Sequence, residues 1–167
     1  MERSEIERHL EELHPVSWGW ALSCCERNRD FAEDVLQMTY LKVIEGKARF
    51  DGRSRFKTWL FGVIRNTALE YSRWRSVRRR IVEAFARRPF DTESNEAERR
   101  VEQREQNRML IGALRRLARR QREVLELVFY HDLTIDEAAE AMGISVGAAR
   151  VHYARGKQNL KEAICDR

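Results

Sequence analysis

The chain has 167 residues, with 32 basic and 27 acidic side chains and a formal net charge of +5. Eight glycines and two prolines are too few for an all-β fold with its many turns, and they exclude collagen-like and proline-rich classes. No apolar run approaches the ~20 residues that span a bilayer; the first residues are polar and acidic, unlike a secretory signal; three cysteines without C-x-x-C spacing fit a reducing, cytoplasmic setting.

In chain order, the first signal is apolar spacing. Ile6, Leu10 and Leu13 recur at helical intervals. Trp18, Trp20 and the Cys24-Cys25 pair read as core. Phe31, Ala32, Val35, Leu36, Thr39, Tyr40, Val43 and Ile44 make a second apolar stripe, which Gly46 is placed to end. The segment Phe50-Asp51-Gly52-Arg53-Ser54-Arg55 reads as a turn, and it feeds a third helix with Phe56, Trp59, Leu60, Val63, Ile64, Thr67 and Tyr71 on its apolar side. Arg65, Asn66, Arg73 and Arg75 lie off that stripe, and Trp74 reads either as a DNA-stacking ring or as packing on a neighbour.

Charge divides the chain. Residues 1–51 are net −4 and residues 52–82 net +8; residues 83–103 are net −2 and residues 104–167 net +3. The acidic stretch around Pro89, with Asp91, Glu93, Glu96 and Glu98, lacks apolar periodicity and reads as a linker. The division expected is therefore 1–85, a linker over 86–103, and 104–167. The fold class expected is all-α: two small helical domains joined by a flexible linker, with no period-2 strand pattern and no internal repeat.

Beyond the linker, Leu110, Leu114 and Leu117 suggest one helix, and Val124, Leu125, Val128 and Phe129 another. Thr134 and Glu137 have capping-box spacing at the start of the next. Gly143 can supply a left-handed turn, and Ser145 is a good N-cap for a last helix from Val146 to about Lys161. Ala149 and Tyr153 are spaced to seat that helix on its predecessor. The pattern is a helix-turn-helix whose second helix presents Arg150, Val151, His152, Ala154 and Arg155. Arginine can take guanine or phosphate in a bidentate fork, and the amides at Ser145 suit a phosphate. His152 reads equally as a base or phosphate contact and as a solvated side chain.

Ala32-Glu33-Asp34-Val35-Leu36-Gln37, the segment 50–60 and Arg65-Asn66 together resemble region 2 of the sigma-70 family. The capping box, the Gly143 turn and Ser145-Val146-Gly147-Ala148-Ala149-Arg150 resemble its region 4. Order and spacing are similar to the group IV, extracytoplasmic-function (ECF) sigma factors over about residues 10–162. The resemblance implies a sigma factor that binds core RNA polymerase, through the β′ clamp helices and the β subunit, and directs initiation at −10 and −35 promoter elements. It implies core-polymerase contacts at Glu33, Asp34, Leu36, Gln37, Thr39 and Lys42. It implies −10 DNA contacts at Phe50, Gly52, Arg53, Ser54, Arg55, Arg65, Asn66, Glu70 and Arg73. It implies −35 DNA contacts at Ser145, Arg150, Val151, His152 and Arg155. It further implies an anti-sigma partner, no direct membrane contact, and no catalytic residue, cofactor or metal.

Two other classes are weighed beside it. A stand-alone helix-turn-helix regulator leaves the acidic second helix unexplained. A nucleic-acid-processing enzyme needs a nucleophile or metal-binding carboxylates, and neither HExxH nor a Ser/His/Asp pattern is present.

Overall fold

The protein, a computed structural model, is described over the backbone of residues 2–85 and 112–165 and the side chains of residues 2–76 and 112–164. It divides into two compact units, Met1–Asn95 and Glu96–Arg167. Among the described residues all regular structure is helical, with no strand, as composition and periodicity led us to expect. The linker expected over 86–103 lies outside the described residues.

The first unit packs three helices, α1 (Arg3–Cys24), α2 (Arg29–Ile44) and α3 (Phe56–Phe85), each against the other two. Helix α1 runs through Pro15 and buries Leu10, Ser17, Trp20, Ala21 and Cys24 on one side. The indole of Trp20 is fully enclosed, stacks on Phe61 at 5.8 Å and donates to the Phe61 carbonyl at 3.0 Å. One aromatic side chain thus supplies apolar area and a satisfied polar tip at the α1–α3 contact. Asn28 caps α2, its side chain accepting from the Phe31 amide at 2.9 Å. Gly46 ends α2 in the left-handed region at φ 70, the conformation its position requires.

The second unit begins with a helical stretch over 112–116 and continues with α4 (Arg119–Phe129), α5 (Ile135–Met142) and α6 (Val146–Cys165). Leu127, Val124, Ala138, Ala139 and Ala149 form its buried centre. Phe129, whose spacing helped to suggest this helix, is 65% exposed, and Leu127 is buried on the inward face. The Phe129 ring stacks on Tyr153 at 5.9 Å, so Tyr153 packs α6 against α4.

Gly156 sits where α6 crosses α4. A Cβ there would lie 3.1 Å from Leu125 Cδ1 and 3.2 Å from the Gln121 carbonyl oxygen. The Asn159 amide donates to the Gln121 side chain at 3.0 Å one turn later and holds the crossing. Gly156→Ala is therefore expected to destabilise this unit. The overpacking costs about 1–3 kcal/mol and outweighs the gain of roughly 1 kcal/mol from removing a helical glycine. A urea melt of the full chain should show an earlier midpoint for this unit; an unchanged or later midpoint contradicts the crossing.

Candidate nucleic-acid and partner interfaces

The helix-turn-helix is built by local chemistry. The Glu137 amide donates to Thr134 Oγ1 at 3.2 Å, and the Thr134 amide donates to Glu137 Oε2 at 2.9 Å, so the start of α5 satisfies itself. Helix α5 ends at Gly143 (φ 62, ψ 41), with the Gly143 and Ile144 amides returning to the Glu140 and Ala139 carbonyls. Only a residue at ease with positive φ makes this turn cheaply. Ser145 Oγ then accepts from the Ala148 amide at 3.2 Å and caps α6. Ala138, Ala139, Met142 and Ala149 are buried, and the three alanines are small enough to bring the two helices close.

Behind that turn, Arg150, Val151, Ala154 and Arg155 are exposed along the first half of α6, while His152 is half-buried. Arg150 Nη2 lies 3.8 Å from Asp136 Oδ1, an open contact between two well-exposed side chains. Such a pair holds little energy and yields readily to a phosphate or base. Lys157 sits over the Tyr153 ring at 4.7 Å. The α6 residues expected to meet DNA are thus on one continuous helix, with Ser145 at its amino end.

In the first unit, the 50–55 loop is anchored at its start. Phe50 packs on Phe56 and Trp59 at 5.3 Å each, and His9 from α1 closes the cluster on Phe56 at 5.1 Å. Trp59, expected in the core, is half-buried in this cluster. Past Phe50, Asp51 Oδ1 accepts from the Arg53 amide at 3.1 Å, and Gly52 takes φ 76. The resulting turn leaves Gly52, Arg53 and Arg55 exposed and Ser54 half-exposed. Along α3, Asn66, Glu70 and Arg73 are exposed at helical intervals, and Trp74, which the sequence leaves open between stacking on DNA and packing on a neighbour, is 60% exposed beside them. Its off-stripe position carried that signal.

Arg65 is a correction. It is only 6% exposed and is engaged within the fold, so its guanidinium is not on the face that could meet a strand. Periodicity sets it off the apolar stripe of α3, yet it is enclosed.

Helix α2 divides similarly. Glu33, Asp34 and Gln37 are exposed, as is Leu41, which periodicity did not single out. Leu36 is nearly enclosed at 3%, and Thr39 is fully enclosed, its hydroxyl donating to the Val35 carbonyl at 2.8 Å. Neither is placed for the direct partner contact expected of it, because α1 and α3 both cover α2. Lys42 does not point outward either: its ammonium turns to α3, donating to Glu70 Oε2 at 2.6 Å and Thr67 Oγ1 at 3.2 Å. At the other end of this seam the Tyr71 hydroxyl donates to Asp34 Oδ2 at 2.8 Å. Tyr40 lies between α1 and α2 with its hydroxyl 3.1 Å from His14 Nδ1, and burial raises its pKa above the ordinary tyrosine value.

Among the described residues no group of His, Cys, Asp and Glu is arranged to hold a metal ion, and no helix is long and apolar enough to cross a membrane.

Residues 9–80 match the family model described as Sigma-70 region 2, and residues 107–160 match that described as Sigma-70, region 4. The chain is 33% identical to the RNA polymerase sigma factor CarQ of Myxococcus xanthus, over 83% of this chain and 77% of that protein. It is 29% identical to the ECF RNA polymerase sigma factor SigX of Bacillus subtilis, over 81% of this chain and 72% of that protein. Among solved structures it is similar to the sigma factor RpoE from Bartonella quintana, crystallised with the anti-sigma factor NepR. The TM-score there is 0.69 and the identity 24%, over 98% of this chain and 99% of that one, a likeness of fold. With both regions matched in their proper order and a third of the aligned residues shared with CarQ, the chain belongs to the sigma-70 family, as an ECF RNA polymerase sigma factor that directs transcription initiation.

Proposed function

We propose that the two units divide promoter recognition between them. The exposed edge of α2, with Glu33, Asp34, Gln37 and Leu41, docks on the β′ clamp helices of core polymerase. The second unit meets the β subunit and sets α6 in the major groove of the −35 element through Ser145, Arg150, Val151, His152 and Arg155. The 50–55 loop, through Phe50, Gly52, Arg53, Ser54 and Arg55, and α3, through Asn66, Glu70 and Arg73, hold an opened −10 segment. The acidic stretch over 86–103 connects the two, its charge suited to a basic polymerase channel.

One observation carries this reading. A single three-helix unit exposes an acidic, partly apolar edge on α2 and a basic, amide-bearing edge on α3. The first has the chemistry of a protein partner and the second that of a nucleic-acid strand. A stand-alone regulator would have no use for the first edge.

RpoE of Bartonella quintana forms a complex with an anti-sigma factor, as CnrH does with the cytosolic domain of CnrY. By analogy, an anti-sigma protein sequesters this chain in the cytoplasm by covering the same edges until its signal arrives.

Asn66→Ala tests the division of labour. The exposed amide offers donor and acceptor to a base edge, so its loss should lower promoter opening by about three- to tenfold while core affinity stays unchanged. Permanganate reactivity of the −10 thymines reports opening. A wild-type footprint contradicts the assignment of α3 to the opened strand.

A further inference from the structure

Glu70 is an anomaly in its surroundings. Residues 52–82 carry nine basic side chains and this one acid. It lies on the exposed stripe of α3, with Asn66 four residues before it and Arg73 three after. A carboxylate on a face that meets a polyanion costs repulsion unless a cation neutralises it or it accepts from a donor on the ligand.

The structure supplies the cation from another helix. Lys42 of α2 gives one N–H to Glu70 Oε2 at 2.6 Å and one to Thr67 Oγ1 at 3.2 Å. Thr67 is buried and Lys42 is 29% exposed, whereas the Glu70 side chain is 63% exposed. The ammonium is therefore held on its inner side by a fixed hydroxyl, and it steers the carboxylate without covering it. A pair this open adds little stability; its effect is on orientation and local charge. A carboxylate has about four acceptor sites, so one ion pair leaves it able to accept further bonds.

We infer that Glu70, positioned by Lys42 and Thr67, reads an exocyclic base amine in the −10 segment and thereby rejects thymine at one promoter position. This rests on the proposed assignment of α3 to the −10 strand and deepens it. Adenine N6, cytosine N4 and guanine N2 are amine donors that a carboxylate accepts; thymine carries no exocyclic amine. Preorganisation by Lys42 lowers the entropy lost on contact. Lys42 touches no base and is a positioning residue, which also explains why it turns away from the outer face of α2.

The test uses the full chain bound to core polymerase and a promoter library randomised across the −10 segment, reading the bases in transcribed templates. For the wild type, one position should show thymine depleted by about tenfold or more, the scale of a hydrogen bond to a charged group. Glu70→Ala should flatten that position alone. Lys42→Met should flatten the same position in part, Lys42→Arg should retain it, and core affinity should be unchanged in all three. Guanine enriched there identifies an extruded base, because in a duplex its amine lies in the minor groove. If Glu70→Ala keeps the wild-type base profile, or Lys42→Met changes core affinity and leaves the profile intact, Glu70 merely pins α3 to α2 and the inference fails. If the wild-type chain yields no selected promoter at all, the assignment of α3 to DNA fails first.

Discussion

Asp34→Arg is expected to weaken binding to core polymerase by on the order of 2 kcal/mol, roughly 30-fold. Asp34 is exposed on α2 beside Glu33 and Gln37, and reversing its charge inverts the acidic edge proposed to meet core polymerase. The same carboxylate also accepts from the Tyr71 hydroxyl at 2.8 Å, so two causes need separating. Asp34→Asn keeps an acceptor for Tyr71 and removes the charge; Tyr71→Phe keeps the charge and removes the hydrogen bond. If α2 docks by charge, Asp34→Asn should lose much of the affinity and Tyr71→Phe little. The loss should also shrink as salt screens the contact. Titration of labelled chain with core enzyme at two ionic strengths reads all of this, and an unchanged dissociation constant for Asp34→Arg removes α2 from the interface.

Arg150→Ala carries the second large effect, on the −35 side. The guanidinium projects from α6 immediately beyond the capped first turn, and the Asp136 carboxylate 3.8 Å away is exposed and easily displaced. A bidentate contact to guanine discriminates by about 1–3 kcal/mol, so −35-dependent occupancy should fall about 5- to 150-fold. Two mechanisms have different signatures. A base contact costs affinity only on the preferred −35 sequence. A phosphate contact costs it uniformly across sequences and lowers the salt slope by about 1. Core affinity should not move in either case, and unchanged promoter occupancy contradicts the placement of α6 in the groove.

The helix-turn-helix was legible in the sequence because its determinants are local. Thr134 and Glu137 are three residues apart, Gly143 sits alone at the turn, and Ser145 caps the next helix; each acts within one helical turn. The inward faces of α1, α2 and α3 were legible for a related reason, since periodicity fixes which side of a helix is apolar. It does not fix how wide the buried arc is. That width depends on how many neighbours cover the helix, and α2 is covered by two. Arg65, off the apolar stripe of α3, falls inside the buried arc, whereas Leu36 and Thr39 stand on the α2 stripe already and are enclosed with it. Lys42 differs for another reason. A lysine on a mostly acidic helix looks like an outward contact until the fold shows Thr67 and Glu70 on the neighbouring helix within its reach. Gly156 carried no signal, because a glycine in a basic helix does not reveal that another backbone lies against it.

Selective initiation in vitro tests the whole account most directly. Purified core polymerase, supplied with the folded chain and a library of random promoter sequences, should produce discrete transcripts that share −10 and −35 elements and vanish when the chain is omitted. Transcription no more selective than that of core enzyme alone, with the chain folded and present in excess, would contradict it.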